Sequence, residues 1–134
     1  MNQLINAALD SRWNMIFIGL NLSTSDTASG SPFSVTSVSN ADVEITTVGG
    51  GTPITINRQA FVETLRYLLP NQHTEQNRCP IGSNKDINLA GPLCVTARNA
   101  NGTNVMIINY LLPLLTHMNL VNTDGSRPNT IWLA

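Results

Sequence analysis

Charge is scarce in this chain: Asp, Glu, Lys and Arg make up 11% of its 134 residues, and the formal net charge is −1. That content is about half the usual ~25%. Long-range electrostatics are therefore weak, and a partner gripped mainly through phosphates needs a local basic cluster. Long apolar runs are missing too: the longest candidate, Val105 to Leu115, is interrupted by Asn109 and Pro113 and falls short of the ~18 residues of a membrane span. The opening MNQLINAALDSRW has no basic segment followed by an apolar one, which argues against a secretory signal. The expectation is a cytoplasmic protein, in a cell or an infected host, with no membrane partner. Cys79 and Cys94 then read as free thiols.

Catalytic and cofactor motifs are equally thin. His73, Cys79, Cys94 and His117 contain no close pair to form a chelating knuckle, so no metal site is expected. Gly49, Gly50 and Gly51 lead into no Gly-Lys-Ser/Thr sequence and read as a turn, leaving no cofactor loop. Nucleophile-elbow and zinc-protease motifs are absent. Asp42 and Glu44 are the one close acidic pair; on a strand they share a face, more often a solvated edge than a catalytic pair. An enzyme is not expected; a pocket combining Asp42, Glu44 and a histidine would revive one.

What is present suffices for a fold. At 42% hydrophobic, the chain can bury a core as one compact domain or as a small domain with an extension. Polarity comes from neutral groups, including 17 Asn, which favour turns, caps and hydrogen-bonded surfaces. Residues 1–56 carry a balance of −3 and residues 57–134 a balance of +2, which directs any anionic partner to the C-terminal part.

Along residues 1–56, Leu4, Ile5, Ala8 and Leu9 fall at helical spacing, and Trp13 to Leu22 reads as a strand covered on both faces. Ser23 to Pro32 reads as a polar, mobile loop. Phe33, Val35 and Val38 suggest a weak strand, and Val43 to Ile56 a hairpin turning at the glycines. Asn57 then caps a helix with Phe61, Val62, Leu65, Leu68 and Leu69 on its inner stripe, closed by Pro70. Asn71 to Asn88 carries no clear signal. A second helix starts near Pro92 with Leu93, Cys94 and Ala97 inward, and Gly102 breaks it. Thr103 or Asn104 is placed to cap a third helix, Val105 to Met118, mildly bent at Pro113. Asn119 reads as a left-handed stop, followed by a hairpin with its tip at Asp124-Gly125.

This order of three helices and a hairpin, ending in NYLLPLLTHMNLVNTDGSRPNTIWLA, resembles the winged helix-turn-helix family over about residues 57–134. The fold class expected is α+β: a winged helix with an N-terminal helix and β-hairpin extension, residues 1–56, offering a dimerisation or partner surface. The resemblance implies that the third helix enters a DNA major groove and that the wing lies along phosphates or the minor groove. It puts Asn101, Thr103, Asn104 and Asn109 at the base edges, with Ser126, Arg127 and Asn129 on the wing and Lys85 and Arg98 as backbone contacts. The function so implied is non-enzymatic binding of double-stranded DNA, as a homodimer, in transcription regulation or as the recognition module of a restriction or defence system. The third helix departs from the family's habit, having no Lys or Arg between Val105 and Met118. The competing reading is a viral or other assembly or inhibitory protein working through protein contacts.

Overall fold

The computed structural model describes residues 2–24, 30–126 and 129–134. Its fold is mixed α+β. Helices α1 (Asn2–Arg12), α2 (Arg58–Leu68), α3 (Pro92–Asn101) and α4 (Ile108–His117) accompany strands β1 (Asn21–Ser23), β2 (Pro32–Val38), β3 (Asp42–Thr47) and β4 (Pro53–Asn57), then β5 (Cys79–Pro80), β6 (Val121–Asp124) and β7 (Thr130–Leu133). The first four strands form an antiparallel sheet in the order β1-β2-β3-β4, and the last three a small antiparallel sheet in the order β5-β7-β6.

Alternation builds the larger sheet. Phe33 and Val35 on β2, Val43 and Ile45 on β3 and Ile56 on β4 all turn inward, each 1% exposed or less. A β-bulge preserves this pattern. Val35 pairs with Ile45 and Ser37 with Glu44, so Thr36 is the extra residue, and Val38 falls back to the inner side opposite Val43. The Thr36 hydroxyl is held outside by Glu44 Oε1 (2.8 Å) and Thr46 Oγ1 (3.1 Å). The β3–β4 turn closes through Gly51, whose φ of +63° suits glycine.

Trp13 to Leu22 is not one strand. It breaks into a 3₁₀ turn, Trp13–Met15, a bend at Gly19 with φ +95°, and the short β1. Tertiary contacts override β propensity here. The Trp13 ring meets Phe61 edge-on at 4.9 Å, its indole N–H donates to the Ser39 carbonyl (2.8 Å), and Arg58 lies over it at 5.0 Å. Arg58 also pairs with Asp10 at 2.7 Å, fastening α1 to the start of α2.

One cluster of buried side chains runs from Ile5 on α1 to Ile131 on β7, crossing the 56/57 boundary without a break. Much of the expected loop between β1 and β2, Ser25 to Ser29, lies outside the described residues. The unassigned stretch 71–88 supplies β5, where Cys79 pairs with Ile131 and is 2% exposed. Both cysteines are free and buried. Burial pushes the Cys79 thiol from 9.0 up to about 11, because a low-dielectric surrounding disfavours the thiolate. Among the described residues no helix is long and apolar enough to cross a membrane.

Candidate functional site: the α3–α4 turn, helix α4 and the wing

The chain places α4 at the centre rather than at the surface. The expected helix from Val105 starts at Ile108, and neither Thr103 nor Asn104 caps it; the flanking residue is Ile107, which has no side-chain cap. Gly102 ends α3 with φ +71°, and Asn119 follows α4 with φ +59°, the left-handed stop expected there. The inner stripe Ile108, Leu111, Leu112 and Leu115 is buried, but so are Pro113 and Leu114. None of the ten residues of α4, all described, is exposed.

The face opposite that stripe is covered by the N-terminal part. Tyr110 meets Phe33 of β2 edge-on at 5.4 Å. The His117 Nε2 nitrogen lies 2.8 Å from the Met15 carbonyl, so this nitrogen carries the proton and donates. Pro113, Thr116 and His117 share a cavity of about 260 Å³ with Leu22 and Ser23 of β1 and Thr123 of β6. Phe33 of β2 and Leu22 and Ser23 of β1 thus lie against α4. Asn109 is half-buried, and its side-chain oxygen is closed off with no partner. Major-groove insertion of this helix, expected from the sequence, is at odds with that enclosure.

Two other expected DNA contacts are structural. Asn101 is 2% exposed. Its side-chain oxygen accepts the Asn57 amide (2.7 Å), its NH₂ group donates to the Thr55 carbonyl (3.0 Å), and the Asn57 side chain returns a bond to the Asn101 carbonyl (3.0 Å). The carboxamide stands in for a neighbouring strand along the β4 edge, satisfying groups that burial would leave orphaned. This clasp also explains why Asn57, at the position of a helix cap, caps nothing. Arg98 is 2% exposed and donates to the carbonyls of Asn84 (2.6 Å) and Lys85 (3.1 Å). It ties the loop after β5 to α3. Gly82 and Gly91 close that loop's base, with Gly91 N–H bonding Gly82 O at 2.8 Å; a Cβ on Gly82 would lie 2.8 Å from Gly91 Cα.

Thr103, Asn104 and Lys85 remain exposed. Thr103 accepts a bond from the Asn101 NH₂ group (3.2 Å). On the wing, Ser126 donates from its amide (3.0 Å) and hydroxyl (2.6 Å) to Asp124 Oδ1, bonds that hold the Asp124 carboxyl below its usual range, with Arg78 adding to the effect. The Asn129 carbonyl accepts from Ile81 N–H (3.1 Å), just beyond the paired residues of β5 and β7. Arg127 lies outside the described residues.

Three of the six described Lys and Arg residues are matched by acids. Arg58 pairs with Asp10, Arg66 with Glu63, and Arg78 with Glu75 and Asp124. Arg78 also lies 4.0 Å over the Trp132 ring, a contact that sequence patterning did not suggest. Neither histidine reaches the Asp42–Glu44 pair by a hydrogen bond: His73 contacts Asn77 and Tyr67, and Asp42 and Glu44 bond Ser39 and Thr36. Among the described residues no three His, Cys, Asp or Glu side chains gather as a metal set. No family model, curated protein or solved structure matches the chain, so a functional reading rests on its own geometry.

Proposed function

We propose that this chain is a non-enzymatic interaction module of winged-helix type that works through protein contacts. The arrangement α2-β5-α3-α4-β6-β7, with the small sheet in the order β5-β7-β6, supports the winged-helix reading: a short strand before the helix pair completes the sheet of the wing. One observation carries the choice of partner. The face of α4 that a duplex would need is covered by Phe33, Met15 and β1. Phosphate binding also draws on unpaired cations, and three of the described arginines are engaged with carboxylates. Meanwhile large apolar side chains stay in water, among them Ile18 (70% exposed) and Leu89 (71%), a feature that suits protein contact where such residues gather.

A second reading keeps double-stranded DNA as the partner, bound by the exposed Thr103, Asn104 and Lys85 and by the wing. It is favoured by the same topology and by the C-terminal excess of positive charge. Titration of a fluorescent duplex with the full chain at about 50 and about 200 mM salt separates the two. The protein-contact reading expects no saturable anisotropy change at the lower salt. Saturable binding that weakens as salt rises would overturn it and install the DNA reading.

A further inference from the structure

Asn101 is the one asparagine of the chain that is followed by glycine. Such a pair is chemically special: with no side chain on the following residue, its backbone nitrogen can approach the asparagine side-chain carbonyl without a steric barrier. The two halves of the pair meet different surroundings. Gly102 is exposed, a Cβ built on it would meet nothing within 4 Å, and it borders an open cavity of about 260 Å³. Asn101, its reaction partner, is 2% exposed.

The groups that would react are engaged. The Asn101 side-chain oxygen accepts the Asn57 amide, and its NH₂ group donates to the Thr55 carbonyl and the Thr103 hydroxyl. The Asn101 backbone carbonyl accepts the Asn57 side chain, and the Gly102 N–H donates to the Asn99 carbonyl at 3.2 Å. These bonds hold the carboxamide on β4, so attack by the Gly102 nitrogen waits until α3 and β4 part, in a local or global opening of the fold. A carboxylate formed at this position finds no cation ready for it. Arg98, one helical turn earlier, keeps its terminal nitrogens on the Asn84 and Lys85 carbonyls, and Arg58, beside Asn57, is paired with Asp10.

We propose that Asn101 is a site of spontaneous deamidation, latent in the closed chain and released when α3 parts from β4, so that a lasting opening becomes permanent. The Gly102 nitrogen gives its proton to water and attacks the Asn101 side-chain carbonyl carbon. A C–N bond forms, the bond to the NH₂ group breaks, and ammonia leaves after taking a proton back from water. Water then adds to either carbonyl of the cyclic imide and breaks one of its C–N bonds, giving aspartate or isoaspartate. Overall water is consumed and ammonia released, and nothing is oxidised or reduced. Either product lacks the NH₂ donor, so the Thr55 carbonyl faces a carboxylate oxygen and a charge without a partner is left to be buried. Isoaspartate also adds a methylene to the main chain at the end of α3. The clasp does not reform, whichever partner the protein binds.

The test holds the full chain at mildly alkaline pH, folded and in urea, and follows Asn101 over time by peptide mass spectrometry that separates aspartate from isoaspartate. Conversion is expected at least about tenfold faster in urea than in the folded chain, as protection by a closed joint requires. Asn57→Ala, which removes one bond of the clasp, should raise the folded-state rate about fivefold. Should that variant not fold, urea concentrations below the unfolding transition open the same joint in the unaltered chain. Asn101→Asp, the product itself, should lower the urea midpoint at least as far as Asn101→Ala, because it adds a charge to the lost bonds; a variant that does not fold is the stronger form of that result. Equal conversion rates in the folded and unfolded chain, or a folded-state rate that neither Asn57→Ala nor urea changes, overturn the proposal. An Asn101→Asp chain as stable as the original overturns it as well.

Discussion

Helices α2 and α4 have 11 and 10 residues, yet the chain treats them in opposite ways. In α2, Arg58, Gln59, Glu63 and Arg66 mark an outward face; Gln59 and Arg66 are exposed, and Ala60, Phe61, Leu65 and Leu68 fill the core. Its charges tell it which side meets water. Helix α4 has no Asp, Glu, Lys or Arg to do so, and a helix apolar over most of its circumference lowers its free energy by being enclosed on all sides. The structure encloses it: α3 and the small sheet lie on one side, and Met15, β1 and Phe33 cover the other. The helix that the winged-helix resemblance makes the DNA-reading element has no exposed residue in this structure.

This contrast can be broken by substitution. Leu112→Ala, at a fully buried position, is expected to lower unfolding stability by about 2–5 kcal/mol in urea denaturation. A loss below about 0.5 kcal/mol, the range of ordinary surface changes, would show that α4 is not enclosed. The joint between the two parts should be nearly as sensitive. Asn101→Ala strips the Thr55 carbonyl and the Asn57 amide of their partner, for an expected loss of about 1–3 kcal/mol, measured the same way. A loss as small as a surface change would mean the clasp is ornamental.

Thiol chemistry sharpens the comparison without changing side-chain volume. The Cys79 pKa is raised from 9.0 to about 11 by burial. The folded state holds this proton more tightly than the unfolded one, so its contribution to stability is full below pH 9 and fades as pH rises through about 11. At neutral pH iodoacetamide should therefore label Cys79 far more slowly in the native chain than in urea, as read by mass spectrometry. Equal rates would contradict its burial. The smallest effect belongs to the outer face of α2. Arg66→Ala removes an exposed pair with Glu63 at 3.2 Å and should cost no more than about 1 kcal/mol.

The contrast also explains what could be read in advance. Helical spacing gave α1, α2 and α3 nearly to the residue, since apolar stripes and breakers such as Pro70 and Gly102 act over a few positions. The first hairpin followed from its glycines in the same local way; in the second, Asp124 is still on β6, paired with Thr130, and part of the connection lies outside the described residues. The start of α4 was misplaced because Thr103 and Asn104 look like caps, but the chain uses them in an exposed turn next to Asn101. Strand β5 was missed because two residues give no periodicity; the inward pair Cys79 and Ile81 flanking Pro80 was its one trace. Among the proposed contact residues, Arg98 and Asn101 have surface-type side chains, and nothing local reveals that backbone groups from distant segments, Asn84, Lys85, Thr55 and Asn57, draw them inside.

The amino-acid order by itself determined the scarcity of charge, the amphipathic α2, the glycine and asparagine stops and the α+β class, because each depends on a residue's own torsions or on neighbours within two helical turns. Only the tertiary structure decided that the N-terminal sheet covers α4, that Asn101 completes the edge of β4 and that Arg98 is buried without a counterion. Those outcomes depend on which groups meet across separations such as the 46 residues between Thr55 and Asn101. At that range a hydrogen bond or an apolar contact is fixed by the closure of the whole core, and local sequence carries no record of it.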